Sequence, residues 1–194
     1  MNNAMETHPA LILIDIQNDY FPGGRMELAG STEAGQAAGS LLAAFRAAKL
    51  PVAHIQHVAN RPGATFFLPE TEGVRPHSSV TPLDSEPVFI KHYPNSFRET
   101  PLLEHLRTLN VSRLVVAGMM THMCVDTTVR AAADLGLSCL LAHDACATRT
   151  LSFQGRTVEA KDVQAAFLAA LQGLFAEVLP AAEISRRLWP ACSP

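Results

Sequence analysis

Short runs of Val, Ile and Leu alternate along the chain with longer segments of helical period, and this alternation limits the fold more than any other feature. Apolar runs without polar interruption need cover on both faces, which a parallel sheet with helices above and below supplies. The runs fall at 10–16, 52–58, 88–91, 113–117, 138–142 and 176–179. Helices are expected at 33–49, 101–109, 125–135, 158–171 and 181–188. Five or six βα units of an α/β protein result. Thr100 stands as an N-cap before a first-turn Pro101, and Gly136 stands where the helix after Cys124 should stop.

With 194 residues, 48% of them hydrophobic, the chain can bury one sizeable core and is short for two, so a single domain over 1–194 is expected. The main interruption, 60–86, carries Pro62, Pro69, Pro76 and Pro82 with little periodicity. It reads as a long surface excursion of the kind that covers active sites, not as a second domain. The net charge of -3, scattered along the chain, offers no footprint for nucleic acid or an anionic membrane, leaving a small molecule as the expected partner. The first ten residues show neither a basic start nor an apolar run, and no stretch approaches the ~20 apolar residues that cross a bilayer; a cytoplasmic location is expected. Cys124, Cys139, Cys146 and Cys192 are too sparse for a disulfide scaffold and form no C-x-x-C pair, so reduced thiols are expected.

Ligands of open parallel sheets bind beyond the carboxyl ends of the strands. Asp15 ends the first run, Lys91 ends the third, and Cys124 follows the fourth at the start of a helix. A carboxylate closing a buried strand is costly unless it is paired, used, or bonded to loop amides. Lys91 either reaches solvent or pairs. Cys124 is either a small buried thiol or a nucleophile whose thiolate is favoured by a helix N-terminus and a nearby cation. Taken together on one rim, the three side chains form a candidate catalytic group: the ammonium holds the carboxylate ionised, and the carboxylate serves the thiol as general base. Cys139, within an apolar strand, and Cys192, in a Pro-rich tail, suit packing or no role; Cys146, at a strand end, is a candidate pocket wall.

Three blocks, in order, carry a family resemblance: Leu13-Ile14-Asp15-Ile16-Gln17-Asn18-Asp19-Tyr20; Lys91 followed by Asn95-Ser96-Phe97 and Thr100; and Gly118-Met119-Met120-Thr121-His122-Met123-Cys124-Val125. They resemble the signature blocks of isochorismatase-like cysteine hydrolases, and the likeness continues through His143-Asp144-Ala145-Cys146-Ala147-Thr148. The resemblance implies a three-layer, Rossmann-like α/β/α sandwich with a mostly parallel six-stranded sheet in the order 3-2-1-4-5-6. It also implies an Asp15, Lys91, Cys124 triad and a cis peptide between Met119 and Met120. The backbone N–H groups of Met120 and Cys124 would form the oxyanion hole, and the protein would be a homodimer or homotetramer.

Nicotinamidases of that superfamily place a metal-binding Asp-x-His after the second strand. Here the place is taken by His57-Val58-Ala59, where Ala59 has no donor, and His54 and His57 point to opposite strand faces. No metal and no other cofactor is expected. Candidate substrate contacts are Tyr20, Phe66, Phe67, Phe97, His122 and Met123, with Thr65 to Pro69 as an apolar lid; Asp19 and Asp144 read as loop caps. The leading expectation is hydrolysis of a small amide or related C–N bond through an acyl-enzyme. The alternatives are vinyl-ether hydrolysis of the isochorismatase type, or a noncatalytic binding protein on the same fold. The Trp189-Pro190 tail is a candidate interface element.

Overall fold

A computed structural model describes residues 8–188. The Trp189-Pro190 tail and Cys192 lie outside the described residues. Along the chain run β1 (Pro9–Ile14), α1 (Ser31–Ala47), β2 (Val52–His57), β3 (Val88–Lys91), α2 (Leu102–Thr108), β4 (Arg113–Met119), α3 (Asp126–Asp134), β5 (Ser138–Ala147), β6 (Leu151–Phe153), β7 (Arg156–Val158), α4 (Ala160–Leu171), β8 (Glu177–Leu179) and α5 (Ala181–Leu188).

The sheet order is β3-β2-β1-β4-β5-β8, with every neighbouring pair parallel. This is the expected order, because β8 is the run near 176–179 and the β6–β7 hairpin precedes it in the chain. Central β1 shows why its sequence reads as a continuous apolar run. Leu11 and Leu13 join Phe45, Leu41 and Ile184 from α1 and α5, whereas Ala10, Ile12 and Ile14 join Leu102, Val129 and Leu171 from α2, α3 and α4. Each fully buried Leu or Ile contributes about 1.5–3 kcal/mol, so both layers are held by the same strand. Edge strand β3 alternates instead: Val88 and Ile90 are exposed while Phe89 and Lys91 point inward.

Three departures from the sequence reading have local causes. The chain leaves β1 at Ile14, earlier than expected, because Asp15 takes a positive φ of 51°. Residues 151–158 form a hairpin where no strand was expected, turning through Gln154 and Gly155, both at positive φ as a type I′ turn requires. α4 therefore starts at Ala160, not at 158. α2 starts at Leu102, one residue late, with Pro101 as N-cap and a long hydrogen bond of 3.4 Å from the Leu102 N–H to Thr100 Oγ1.

The 60–86 excursion packs back onto the loop after β1. Asp19 organises the junction: its N–H donates to the Gly73 carbonyl, and its carboxylate accepts from the N–H groups of Phe67 at 2.6 Å and Arg25 at 3.2 Å. A Cβ on Gly73 would stand 2.1 Å from that carboxylate, so the close approach requires glycine. Asp144 accepts from the Ala181 N–H and caps α5. Both acids are thus loop caps.

Candidate active site

Asp15, Lys91, His57 and Cys124 converge where the central strands stop. Gly118 sets the depth of the meeting. It pairs with Ile14 across the β1–β4 register, and a Cβ there would lie 2.2 Å from the Ile14 carbonyl oxygen. Asp15 follows directly, is fully buried, and donates its N–H to the Ile55 carbonyl. Lys91 closes β3 on the inward face, 1% exposed. Its ammonium donates to Asp15 Oδ2 at 2.7 Å and Cys124 Sγ at 3.2 Å, and stands 3.0 Å from His57 Nδ1. An ammonium has three protons and no lone pair, so all three contacts use Lys91 as donor and His57 Nδ1 as acceptor. The second oxygen of Asp15, Oδ1, is buried and has no hydrogen-bond partner among the described residues.

Cys124 lies in a wide helical turn, Thr121–Val125, that leads into α3. Met120 precedes this turn after a cis peptide from Met119, and its carbonyl accepts from the N–H groups of Met123 and Val125. On sequence, a helix N-terminus and a nearby cation favour the thiolate. In the folded chain burial pushes the thiol up, the Asp15 charge pushes it further, and the Lys91 ammonium only partly offsets them. Burial opposes a charge on Lys91 as well, but the Asp15 carboxylate and Cys124 sulfur overcome it and leave its pKa raised. The resting group is therefore an ammonium–carboxylate pair beside a neutral thiol.

His57 ends β2, and its backbone is clamped by buried Gln17, whose side chain accepts from the His57 N–H at 2.8 Å and donates to its carbonyl at 2.9 Å. Burial, with Lys91, His92 and Arg61 nearby, lowers its pKa to about 4 despite the opposing Asp15 charge. The ring is neutral at physiological pH. Since Nδ1 accepts from Lys91, Nε2 carries the proton.

Above Cys124 opens a cavity of about 310 Å³. Tyr20, Phe66 and Phe67 form an aromatic wall, with Tyr20 and Phe67 ring centres 4.6 Å apart, and Met123 reaches it from the turn before α3. Burial holds the Tyr20 phenol well above its ordinary pKa. Two predicted contacts sit elsewhere. Phe97 packs against the core beneath α2 and α3, and His122 is 2.5 Å from Thr148 Oγ1 with its ring edge-on to Phe167; neither lines the cavity. Cys139 and Cys146 are buried away from it, both pushed up to about 12 by burial. Lining residues missed by the sequence reading include Ala59, Asn60, Arg61, Ala64, His92, Tyr93 and Pro94. They belong to loops, where neither periodicity nor strand ends give a signal. His57 had such a signal, since it closes β2 as Lys91 closes β3.

Asp15, His57 and Cys124 have potential metal-ligand atoms within 4.8 Å of one another. The Lys91 ammonium bonds all three, and Ala59 offers no donor, so these residues do not fit the Asp-x-His metal set of nicotinamidases. His54 is separate, hydrogen-bonded to Glu86 at 2.9 Å. No helix among the described residues is long and apolar enough to cross a membrane.

Fold and site define a layered α/β protein with a buried polar group at the carboxyl ends of a parallel sheet. Residues 9–183 match the isochorismatase domain, and the chain belongs to the isochorismatase family of hydrolases. It is 50% identical over 169 residues to the uncharacterized isochorismatase family protein YddQ of Bacillus subtilis, covering 87% of this chain and 94% of that one. Among solved structures it resembles an isochorismatase from Pseudomonas putida KT2440, with 36% identity, a TM-score of 0.85, and coverage of 91% and 89% of the two chains. A cysteine hydrolase from Pseudomonas syringae pv. phaseolicola shares 25% identity with a TM-score of 0.88, covering 94% of this chain and 93% of that one.

Proposed function

We propose that this chain hydrolyses a small amide or related C–N bond by way of a Cys124 acyl-enzyme. The observation that carries the reading is the Lys91 ammonium, bonded at once to the Asp15 carboxylate and the Cys124 sulfur at the floor of the cavity. Because the resting thiol is neutral, attack and deprotonation are coupled. The sulfur forms its bond to the carbonyl carbon as Asp15, through its unpartnered Oδ1, takes the thiol proton. Lys91 stays charged and stabilises the negative charge as it passes from the Asp15 carboxylate toward the attacking sulfur. The oxyanion is assigned to the N–H groups of Met120 and Cys124. The tetrahedral intermediate collapses with transfer of that proton from Asp15 to nitrogen, releasing ammonia or an amine. Water, deprotonated by Asp15, then cleaves the thioester and returns the thiol.

Supporting this reading, a ureidoacrylate amidohydrolase of Cronobacter sakazakii is 29% identical over 154 residues, covering 62% of this chain and 66% of that protein. The test is release of ammonia from a panel of small amides, carbamoyl compounds and lactams by the wild type and Cys124→Ala, with intact-mass trapping of the acyl adduct. Turnover should fall at least ~10³-fold in the variant, the scale seen when a nucleophile is removed. Activity retained by Cys124→Ala would overturn the thiol mechanism.

A further inference from the structure

The cavity above Cys124 is biased in charge. Its lining contains Arg61, His57, His92 and Asn60 but no Asp or Glu. Asp15, the acid beneath it, is spent on Lys91. Asp19, behind the aromatic wall, accepts from the N–H groups of Phe67 and Arg25. Arg98 already has partners, its guanidinium lying 3.6 Å from the ring centre of the lining residue Tyr93 and 3.5 Å from Glu99. Arg61 differs from it. Among the described residues it has no salt bridge, while its charge is felt at His57 across the cavity lining.

His57 adds a directed group. Its Nδ1 is turned toward Lys91, so the proton on Nε2 lies on the other side of a ring that lines the cavity. With the His57 backbone clamped by Gln17 and its ring oriented by Lys91, this N–H is a directed donor with no compensating acid in the lining. A directed neutral donor and an unpaired guanidinium in one concave site are complementary to an oxygen anion.

We propose that the cavity selects substrates whose acyl part carries a carboxylate, held by the Arg61 guanidinium and the His57 Nε2–H while Cys124 attacks the carbonyl. The apolar remainder of the lining, Phe66, Phe67, Ala64 and Pro94, suits a short hydrocarbon spacer between the two groups. This inference rests on the cavity being the substrate site, so its test includes a readout that does not require turnover.

Cys124 is alkylated in the wild type with iodoacetate, which carries a carboxylate, and with iodoacetamide, its neutral counterpart; labelling is followed by intact mass and peptide mapping. In each reaction the sulfur bonds to the methylene carbon, iodide leaves, and the thiol proton passes to the buffer. Iodoacetate should label Cys124 faster than iodoacetamide and with saturation. The ratio of the two rates should fall about tenfold or more in Arg61→Gln, the scale of one charge-assisted hydrogen bond, and recover in part in Arg61→Lys. Arg156→Gln, on the exposed β6–β7 hairpin, should keep the wild-type ratio. A wild-type preference for iodoacetamide, or a ratio unmoved by Arg61→Gln, overturns the proposal.

A second arm compares hydrolysis of short mono-amides bearing a free carboxylate with hydrolysis of their methyl esters at the carboxylate. Equal rates of ammonia release from both members of each pair would remove this inference and leave the amide-hydrolase reading standing. Iodoacetate preference with no amide hydrolysed would do the reverse.

Discussion

Replacing Lys91 with Met tests the physical core of the site without reference to any substrate. The side chains of Lys91 and Asp15 are both fully buried, 2.7 Å apart. Met keeps most of the aliphatic stem, so little cavity is created, but Asp15 is left as a buried carboxylate with no cation. Removing one partner of a buried pair costs about 3–5 kcal/mol. At roughly 2–4 °C per kcal/mol for a chain of this size, the melting temperature should drop by about 6–20 °C. Urea denaturation near neutral pH should show a lower midpoint with an unchanged slope. The double variant Asp15→Asn, Lys91→Met removes both charges and should recover at least half of the loss, because the penalty belongs to the unpaired charge and not to the missing contact. A single-variant cost below about 1 kcal/mol, or a double variant as unstable as the sum of its parts, would refute this account of the pair.

His57 should make stability depend on acid. Its pKa is about 4 when folded against an ordinary 6.5, so between those values the unfolded chain binds a proton that the native chain does not. Its contribution is complete above pH ~6.5 and fades as pH falls toward ~4, by at most about 3 kcal/mol; urea titrations at both ends should show a weaker dependence in His57→Asn, and identical dependence would count against a neutral His57. Gly118→Ala should destabilise by at least ~2 kcal/mol, because its Cβ meets the Ile14 backbone at 2.2 Å and its φ is 151°. The same variant should lower amide turnover, since Ile14 directly precedes Asp15. Asp19→Asn weakens the 2.6 Å bond to the Phe67 N–H and should cost about 1–3 kcal/mol. Limited proteolysis should then cut more readily within 60–76, and an unchanged cleavage rate would argue against Asp19 as the anchor of the excursion.

How far the sequence discloses this protein follows from where its information lies. A strand covered on both faces must be apolar at every position, so Leu11 to Ile14 and Leu114 to Ala117 are visible as runs, and the order of those runs carries the sheet. The β6–β7 hairpin escapes because its strands are three residues long, mostly exposed, and joined by Gln154-Gly155 in place of the stronger Asn-Gly signal. The positive φ of Asp15 is likewise invisible in its residue type. So is the ionisation of Cys124: helix position and a nearby lysine both predict an acidic thiol, but burial and the Asp15 charge act in the opposite direction, and their strength depends on depth and separation.

His57 shows the limit of reading residues against a pattern. Set against the Asp-x-His metal motif it looks like a failed ligand, and Ala59 confirms the mismatch. Set against the strand-end rule that singled out Asp15 and Lys91, it has the same standing, because β2 lies between β1 and β3 and His57 pairs in register with Lys91. Without His57 the third proton of a buried ammonium would lack an acceptor, which is costly in a site that excludes water. The histidine is thus coupled to the Lys91 geometry before any question of a ligand arises. Its tautomer follows from that coupling, and the donor it presents to the cavity follows from the tautomer. One hydrogen bond behind the site thereby sets the polarity of the surface in front of it.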